Sequence, residues 1–389
     1  MTQQLSARMN VQINPFRYGR PLDSIEGLVD RDAELEELLG CVRSGQAVMV
    51  YGPRRYGKTS LARVVEGRAR EEYGIPGVYV DLWGASSILD IVSVMGQAYA
   101  LASGTFRMRR FLADLLGRLG FTVRFEGVSV GVGYEGARHG RREREVLMEL
   151  LRVPQRMSSR TASGRVLVVL DEFGEVLNIP GEPDALMRSA FQDSPDVSFL
   201  FMGSKKSLMD GLFSDRRRPF YNFGRRIELG RLPYEGLGNF VEERFENAGR
   251  SITPEAVDVL LGLGQGHPYR TQQLAFHAFR LSAVMSADEE TVLAAKDAAL
   301  DESEPEFRAI LDTMERPRRA VLVALCKEPT AEIYSRPYMQ RHGIKGSGSL
   351  KSALDSLLAS GDLEQAASSP PRPTDPLLAL WVGERMNGA

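Results

Sequence analysis

The sequence predicts an α/β fold. A parallel sheet occupies roughly the first 230 residues and a helical region follows. Three observations carry this. Five short apolar runs, Ala47–Tyr51, Gly77–Trp83, Arg165–Leu170, Val197–Met202 and Ile227–Leu232, are separated by stretches of helical period. The central runs are too apolar to alternate, as strands do in a sheet covered on both faces. Strand-like runs then stop at Pro233, so the order is alternating elements first and helices afterwards.

The elements follow in order. Leu35, Leu38 and Leu39 recur at helical spacing in Asp32–Val42. The run Ala47–Tyr51 ends at Gly52, as a buried strand does on meeting a glycine turn. A helix starts near Lys58, a strand covers Gly77–Trp83, and residues 85–119 are largely helical in pattern. Period-two alternation then sets in. Phe121, Val123 and Phe125, then Val128, Val130, Val132 and Tyr134, alternate with polar or small residues about Gly127, which predicts a β-hairpin over 121–134. The charged stretch Arg138–Glu145 leads into a helix through Leu151. Beyond Pro233 the pattern predicts a helical bundle, an acidic linker at Asp301–Glu306, and a last small unit over 316–382.

Composition narrows the function classes. Lys+Arg number 49 against 51 Asp+Glu, so the whole chain lacks a basic nucleic-acid footprint, although a local patch is open. Two cysteines, Cys41 and Cys326, with no CxxC pair argue against a disulfide scaffold or a thiolate zinc site and suit a reducing cytoplasm. The first sixteen residues lack the apolar stretch of a secretory signal, and no run is long enough to span a bilayer.

The strongest motif is Gly52-Pro53-Arg54-Arg55-Tyr56-Gly57-Lys58-Thr59-Ser60, which fits G-x-x-x-x-G-K-[ST] between a buried strand and a helix. In such a Walker A loop, backbone N–H groups turn inward around a β-phosphate and the helix N-terminus adds its dipole. Lys58 then reaches the β- and γ-phosphates, and Thr59 offers its hydroxyl to Mg²⁺. About a hundred residues on, the apolar run Val166–Leu170 ends in Asp171-Glu172, a Walker B pattern. Adjacent carboxylates at a strand end are ordinarily solvated surface. After a phosphate loop they divide two tasks: Asp171 holds the metal's water shell, and Glu172 orients or deprotonates the attacking water. Ser204, closing the next strand, is placed to sense a γ-phosphate, or is simply a turn serine. Arg216-Arg217-Arg218 and Arg225-Arg226 are candidates for an arginine aimed at that phosphate, though such runs are usually solvated. No Asn-Lys-x-Asp follows, so adenine is the expected base and ATP/ADP the expected ligands.

Two motifs are decoys. Gly127-Val128-Ser129-Val130-Gly131 fits a hydrolase elbow but lies in a hairpin, not a strand-to-helix turn. Gly131–Gly136 fits G-x-G-x-x-G without a βαβ unit built on it. Gly266-His267-Pro268-Tyr269, with Arg270 behind, punctuates the helical region. The other histidines, His139, His277 and His342, show no ligand spacing, so no metal other than Mg²⁺ is expected.

These residues together resemble the archaeal-type ATPases of the STAND class, relatives of the AAA+ proteins. The resemblance rests on Asn14-Pro15-Phe16 with Gly19 and Pro21, Val29–Leu35, Tyr51–Leu61 and Leu170–Phe173. It extends to Pro219-Phe220-Tyr221 with Gly224-Arg225, to Gly266–Tyr269, and to Thr374-Asp375-Pro376 with Trp381. It departs at Asp30, where the family usually has glycine, and at Asn222-Phe223, which lengthen the spacing to Arg225. The resemblance implies a P-loop ATPase core over 1–232 with the hairpin as an insertion near 121–134, a helical lid over 233–305, and a winged helix over 306–389. It implies that Pro268 lies by the adenine, that Phe16 and Arg31 lie near the base, and that Arg225 acts as a trigger arginine. It further implies slow ATP hydrolysis driving a molecular switch. ADP would hold a compact monomer, and ATP would favour a homo-oligomer or partner capture.

Directly from the residues, Leu350, Ala353, Leu354, Leu357 and Leu358 mark one helix face closed by Gly361, and 363–382 can supply a wing. Residues 316–356 carry eight Lys/Arg against three acids, a local excess suited to a negatively charged partner. Two functions compete: an ATP-driven switch whose last module binds DNA or a partner, and an ATP- or ADP-binding scaffold with little hydrolysis whose last module holds protein.

Overall fold

The computed structural model describes residues 13–21, 27–103, 106–126, 129–134, 140–282, 286–365 and 369–386. The chain forms two compact units. One comprises residues 21–230 with 359–361, and the other comprises the remaining described residues on either side.

The first unit runs α1 (Asp32–Ser44), β1 (Val48–Tyr51), α2 (Lys58–Tyr73), β2 (Gly77–Asp81), α3 (Ile88–Ala102), α4 (Phe106–Gly117), β3 (Phe121–Glu126), β4 (Ser129–Tyr134), α5 (Gly140–Leu151) and α6 (Val153–Ser158). It continues with β5 (Val166–Asp171), a 3₁₀ turn over Phe173–Asn178, α7 (Pro183–Gln192), β6 (Val197–Gly203), α8 (Lys206–Phe213) and β7 (Arg225–Glu228). Five strands form one sheet in the order β2-β5-β6-β1-β7, all parallel. Both faces are covered. Val166, Val168 and Leu170 pack with Val92, Leu116, Leu147 and Met187 on one side. Leu167 and Val169 pack with Leu38 and Val65 on the other. Alternate residues of β5 thus enter different cores, which is why the run reads as continuously apolar.

Strands β3 and β4 pair antiparallel from Phe121↔Tyr134 to Glu126↔Ser129, the expected hairpin. Ser129 lies in that ladder and on no strand-to-helix turn, while Gly127, Val128, residues 135–136 and His139 lie outside the described residues. The fifth strand of the sheet lies earlier than expected. It is β7 over Arg225–Glu228, after which only the Leu229 N–H still donates to the Tyr51 carbonyl, at 2.8 Å.

The second unit is mainly helical: α9 (Tyr234–Asn247), β8 (Ser251–Ile252), α10 (Pro254–Gly264), α11 (Pro268–Leu281), β9 (Ser286–Ala287), α12 (Glu289–Thr313), α13 (Arg316–Lys327), α14 (Arg336–Arg341), α15 (Ser347–Ser360), β10 (Leu363–Glu364), β11 (Arg372–Pro373) and α16 (Pro376–Arg385). The acidic stretch Asp301–Glu306, expected to be a linker, is instead the middle of α12, which runs on through Pro305. Proline removes one helical hydrogen bond. The buried stripe Leu300, Ser303, Phe307 and Leu311 nevertheless keeps helical spacing across it, and that burial holds the helix together. After α13–α15, β10 and β11 pair antiparallel. The Arg270 guanidinium, fully buried, donates to both carboxylate oxygens of Asp375, to Gln273 Oε1 at 2.6 Å and to Ser303 Oγ at 3.0 Å. Asp375 also caps α16 by accepting from Leu377 and Leu378 N–H groups. Among the described residues no helix is long and apolar enough to cross a membrane.

Candidate functional site

The carboxyl ends of the parallel strands bring the chemistry to one edge. The register sets Asp81 beside Asp171, and Tyr51 beside Gly203 and Glu228. Ligands of open α/β sheets bind at this edge.

The loop after β1 depends on two glycines. A Cβ on Gly52 would meet the Leu229 carbonyl oxygen at 2.6 Å, so only glycine allows that approach. Gly57 has φ +85° and passes the chain into α2. Lys58 opens α2 with its side chain buried, and its ammonium donates to the carbonyls of Gly52 and Pro53, both at 2.8 Å. Burial pushes its pKa down to about 8, with Glu172 and Asp171 pulling the other way. The ammonium thus meets two loop carbonyls, with two carboxylates nearby.

Thr59 follows, and its hydroxyl donates to Asp171 Oδ2 at 3.2 Å. The same oxygen accepts from the Tyr79 hydroxyl of β2, while Oδ1 accepts the Glu172 N–H at 2.9 Å. Tyr79 is held in turn by the Arg63 guanidinium, 4.6 Å from its ring centre. Burial and the Asp171 charge push the phenol upward, so it stays a donor. Glu172 sits at φ +49°, a left-handed conformation that a non-glycine residue adopts only where its surroundings impose it. Its Oε2 accepts from the Ser204 N–H at 3.2 Å and the Ser204 hydroxyl at 2.9 Å. Arg54, Arg55, Lys58, Thr59, Asp81, Trp83, Asp171 and Glu172 line one cavity of about 300 Å³.

The structure brings Lys58, Thr59, Asp171, Glu172 and Ser204 close together. Ser204 reaches the site through Glu172, to which its hydroxyl is bonded. Pro53 and Ser60 stand in the loop and the first turn of α2, half-buried, while Tyr56 is buried.

One expectation needs correction. Arg225 pairs with Val48 at the start of β1, the end of the sheet opposite the phosphate loop, and its guanidinium contacts Glu37. It is no trigger arginine within this chain. The Phe16 ring is buried among Phe240, Phe245 and Phe279 in the second unit. Arg31 is buried and donates to Glu34 and the Gly230 carbonyl. Pro268 opens α11 in the second unit, after the His267 cap.

Tyr79, Asp81 and Trp83 escaped the sequence reading. Their only signal was position: all belong to the run Gly77–Trp83, and the significance of its end depends on β2 lying next to β5. Among the described residues no group of three or more His, Cys, Asp or Glu side chains is arranged to hold a metal ion. Thr59 and Asp171 nonetheless place a hydroxyl and a carboxylate together, the hard oxygen donors that Mg²⁺ takes alongside phosphate and water.

No family model matches this sequence, and no curated protein matches it. Solved structures do. A Walker-type ATPase of Pyrococcus abyssi, paby2304, superposes with a TM-score of 0.65 at 15% identity, covering 93% of this chain and 98% of that one. The ORC2 protein of Aeropyrum pernix, solved as ADPNP–ADP complexes, superposes at 0.58 with 16% identity, covering 96% and 98%. The fold is that of a P-loop NTPase with a helical C-terminal region. At these identities the likeness establishes the fold alone.

Proposed function

We propose that this chain is a P-loop ATPase of the STAND class that binds ATP and ADP with Mg²⁺ and hydrolyses ATP slowly, as a nucleotide-controlled switch. One observation carries the reading: the buried Lys58 ammonium, the Thr59–Asp171 pair and Glu172 converge on one cavity at the carboxyl edge of a parallel sheet. The Gly52 approach and the Lys58 ammonium fit a phosphate chain. Thr59 and Asp171 would hold the metal, which when bound neutralises phosphate charge. Glu172 accepts the proton of the attacking water. Its Oε2 is bonded twice to Ser204, which restrains it and supports a slow rate.

The same restraint favours the second reading, a nucleotide-binding scaffold with little hydrolysis. The test is calorimetric titration with ADP and ATP, with and without Mg²⁺, followed by single-turnover hydrolysis in Glu172→Gln. The ATPase reading expects nucleotide binding strengthened by Mg²⁺, and turnover reduced about 10²- to 10⁴-fold in the variant with ADP affinity retained. Equal turnover in both proteins would remove Glu172 from the reaction.

The reading extends to the last module. Helices α13–α15 followed by the β10–β11 ribbon come in the chain order of a winged helix, which supports reading this module as one. Arg316, Lys327, Arg336, Lys345 and Lys351 are exposed on it, which suits DNA or another acidic partner. Salt-dependent binding to duplex DNA supports the first, and salt-insensitive capture of a protein the second. A rise in mass with ATP would mark the homo-oligomer.

A further inference from the structure

None of the arginines expected to meet a γ-phosphate lines the cavity. Arg216, Arg217 and Arg218 occupy an exposed turn, where Arg217 pairs with Asp215 at 2.9 Å and Arg218 faces Asp184 at 3.5 Å. Arg225 stands at the opposite end of the sheet, and Arg226 donates to Ser214 Oγ and the Phe213 carbonyl. The arginines that line the cavity are Arg54 and Arg55, both from the phosphate loop.

Arg54 is held in a particular way. Its guanidinium carbon lies 4.5 Å from the centre of the indole of Trp83, a residue 56% exposed. The main chain that carries the indole is held, since the Trp83 backbone N–H donates to Asp81 Oδ1 at 2.9 Å and Gly84 turns the chain behind it at φ +77°. Both side chains line the cavity that holds Lys58 and Glu172. An exposed cation–π contact is a weak restraint. A charge-assisted hydrogen bond from guanidinium to a phosphoryl oxygen is much stronger. The indole therefore parks the guanidinium at the cavity without competing with an anion for it.

We propose that Arg54 is the arginine that stabilises charge on the transferring γ-phosphoryl group, supplied by the chain's own phosphate loop, with Trp83 as its resting platform. This rests on the nucleotide reading above. In the step, the water oxygen bonds to the γ-phosphorus while the bond from that phosphorus to the β–γ bridging oxygen breaks, its electron pair leaving with ADP. The water proton passes to the Glu172 carboxylate and then to the phosphate product. Arg54 stays protonated throughout and gives only N–H donors and charge. Because the arginine acts within its own chain, turnover per chain does not depend on protein concentration.

The test uses Trp381→Phe, which leaves Trp83 as the one indole of a chain with two tryptophans. ADP with Mg²⁺ is added first, then aluminium fluoride as a mimic of the transferring phosphoryl group. The expected result is a change in Trp83 emission on the second addition. In Arg54→Ala on the same background, ADP affinity stays within about twofold. The fluoride-dependent tightening falls at least about tenfold, and turnover falls about a thousandfold, the lower end of an arginine finger's contribution. Arg54→Lys, with the charge but not the planar fork, falls between. Three results would overturn the proposal: silence of Trp83 in the parent, equal losses for ADP and for the fluoride complex, or specific activity rising with protein concentration. A parent that binds no ADP would instead overturn the nucleotide reading itself.

Discussion

Replacing Lys58 by methionine should stabilise the nucleotide-free protein and abolish its response to nucleotide. The ammonium is buried, with its pKa lowered from 10.5 to about 8. That displacement corresponds to roughly 3 kcal/mol of disfavoured charge at neutral pH. Part of it is returned in the variant, because the Gly52 and Pro53 carbonyls each lose a donor, at about 1 kcal/mol apiece. The net expectation is a variant more stable by about 1–2 kcal/mol, or a few degrees in Tm. The sign with pH follows. Between about 8 and 10.5 the unfolded chain keeps the lysine proton that the folded chain has released, so wild-type stability rises with pH across that window. The gap between the two proteins should therefore be widest below pH 8 and close towards pH 10.5. Adding ADP with Mg²⁺ at about a hundred times its Kd should raise the wild type by about 2.7 kcal/mol and leave the variant unmoved, reversing the order. Thermal and urea unfolding at pH 7 and pH 9.5, with and without ADP, measure all four values. A variant less stable than wild type without nucleotide, by an amount independent of pH, would refute the account of Lys58 as a strained receptor.

The other predictions concern neighbouring layers. Tyr79→Phe removes one donor from Asp171 while leaving Thr59 and the Glu172 N–H in place, so the Mg²⁺ concentration that half-saturates ADP binding should rise about tenfold. Titration in EDTA should show unchanged metal-free affinity. Arg270→Ala should destabilise the second unit by about 3–5 kcal/mol, because Asp375 is left without its buried partner. Urea unfolding followed through Trp381, whose ring lies 5.8 Å from Phe307, reads that unit. Arg270→Met should cost less than the alanine variant. Ser204→Ala removes the hydroxyl that ties Glu172 Oε2, so single-turnover hydrolysis should rise while ADP affinity holds.

What was legible in the sequence was local. The phosphate loop, Lys58, Thr59 and the pair Asp171-Glu172 announce themselves because each motif is a run of contiguous residues at a strand end. The hairpin was equally plain, since period two over Phe121–Tyr134 admits little else. What was hidden depended on register and neighbour. The resemblance implies a role for Arg225 despite its lengthened spacing, and only the pairing with Val48 puts it at the end of the sheet away from the phosphate loop. Tyr79 matters because β2 lies against β5, a fact of strand order that no short window contains. Phe16 became a core residue through aromatic partners more than two hundred residues away. The acids of Asp301–Glu306 suggested a linker, yet the stripe through Phe307 and Leu311 outweighed charge and proline together.

Glu172 at φ +49° and Arg55 at φ +67° have a bearing on engineering. Both hold a backbone conformation in which glycine would relieve strain of about 1 kcal/mol or more. Lys58 nearby is a buried cation where methionine would rest more easily. Any redesign that ranks substitutions by folding stability alone would therefore choose to rewrite all three. It would return a protein that melts later and has lost its chemistry. Positions where stabilising replacements cluster around one cavity mark where selection has held out against stability, and a mutational scan read for gains rather than losses should outline this site without any ligand in hand.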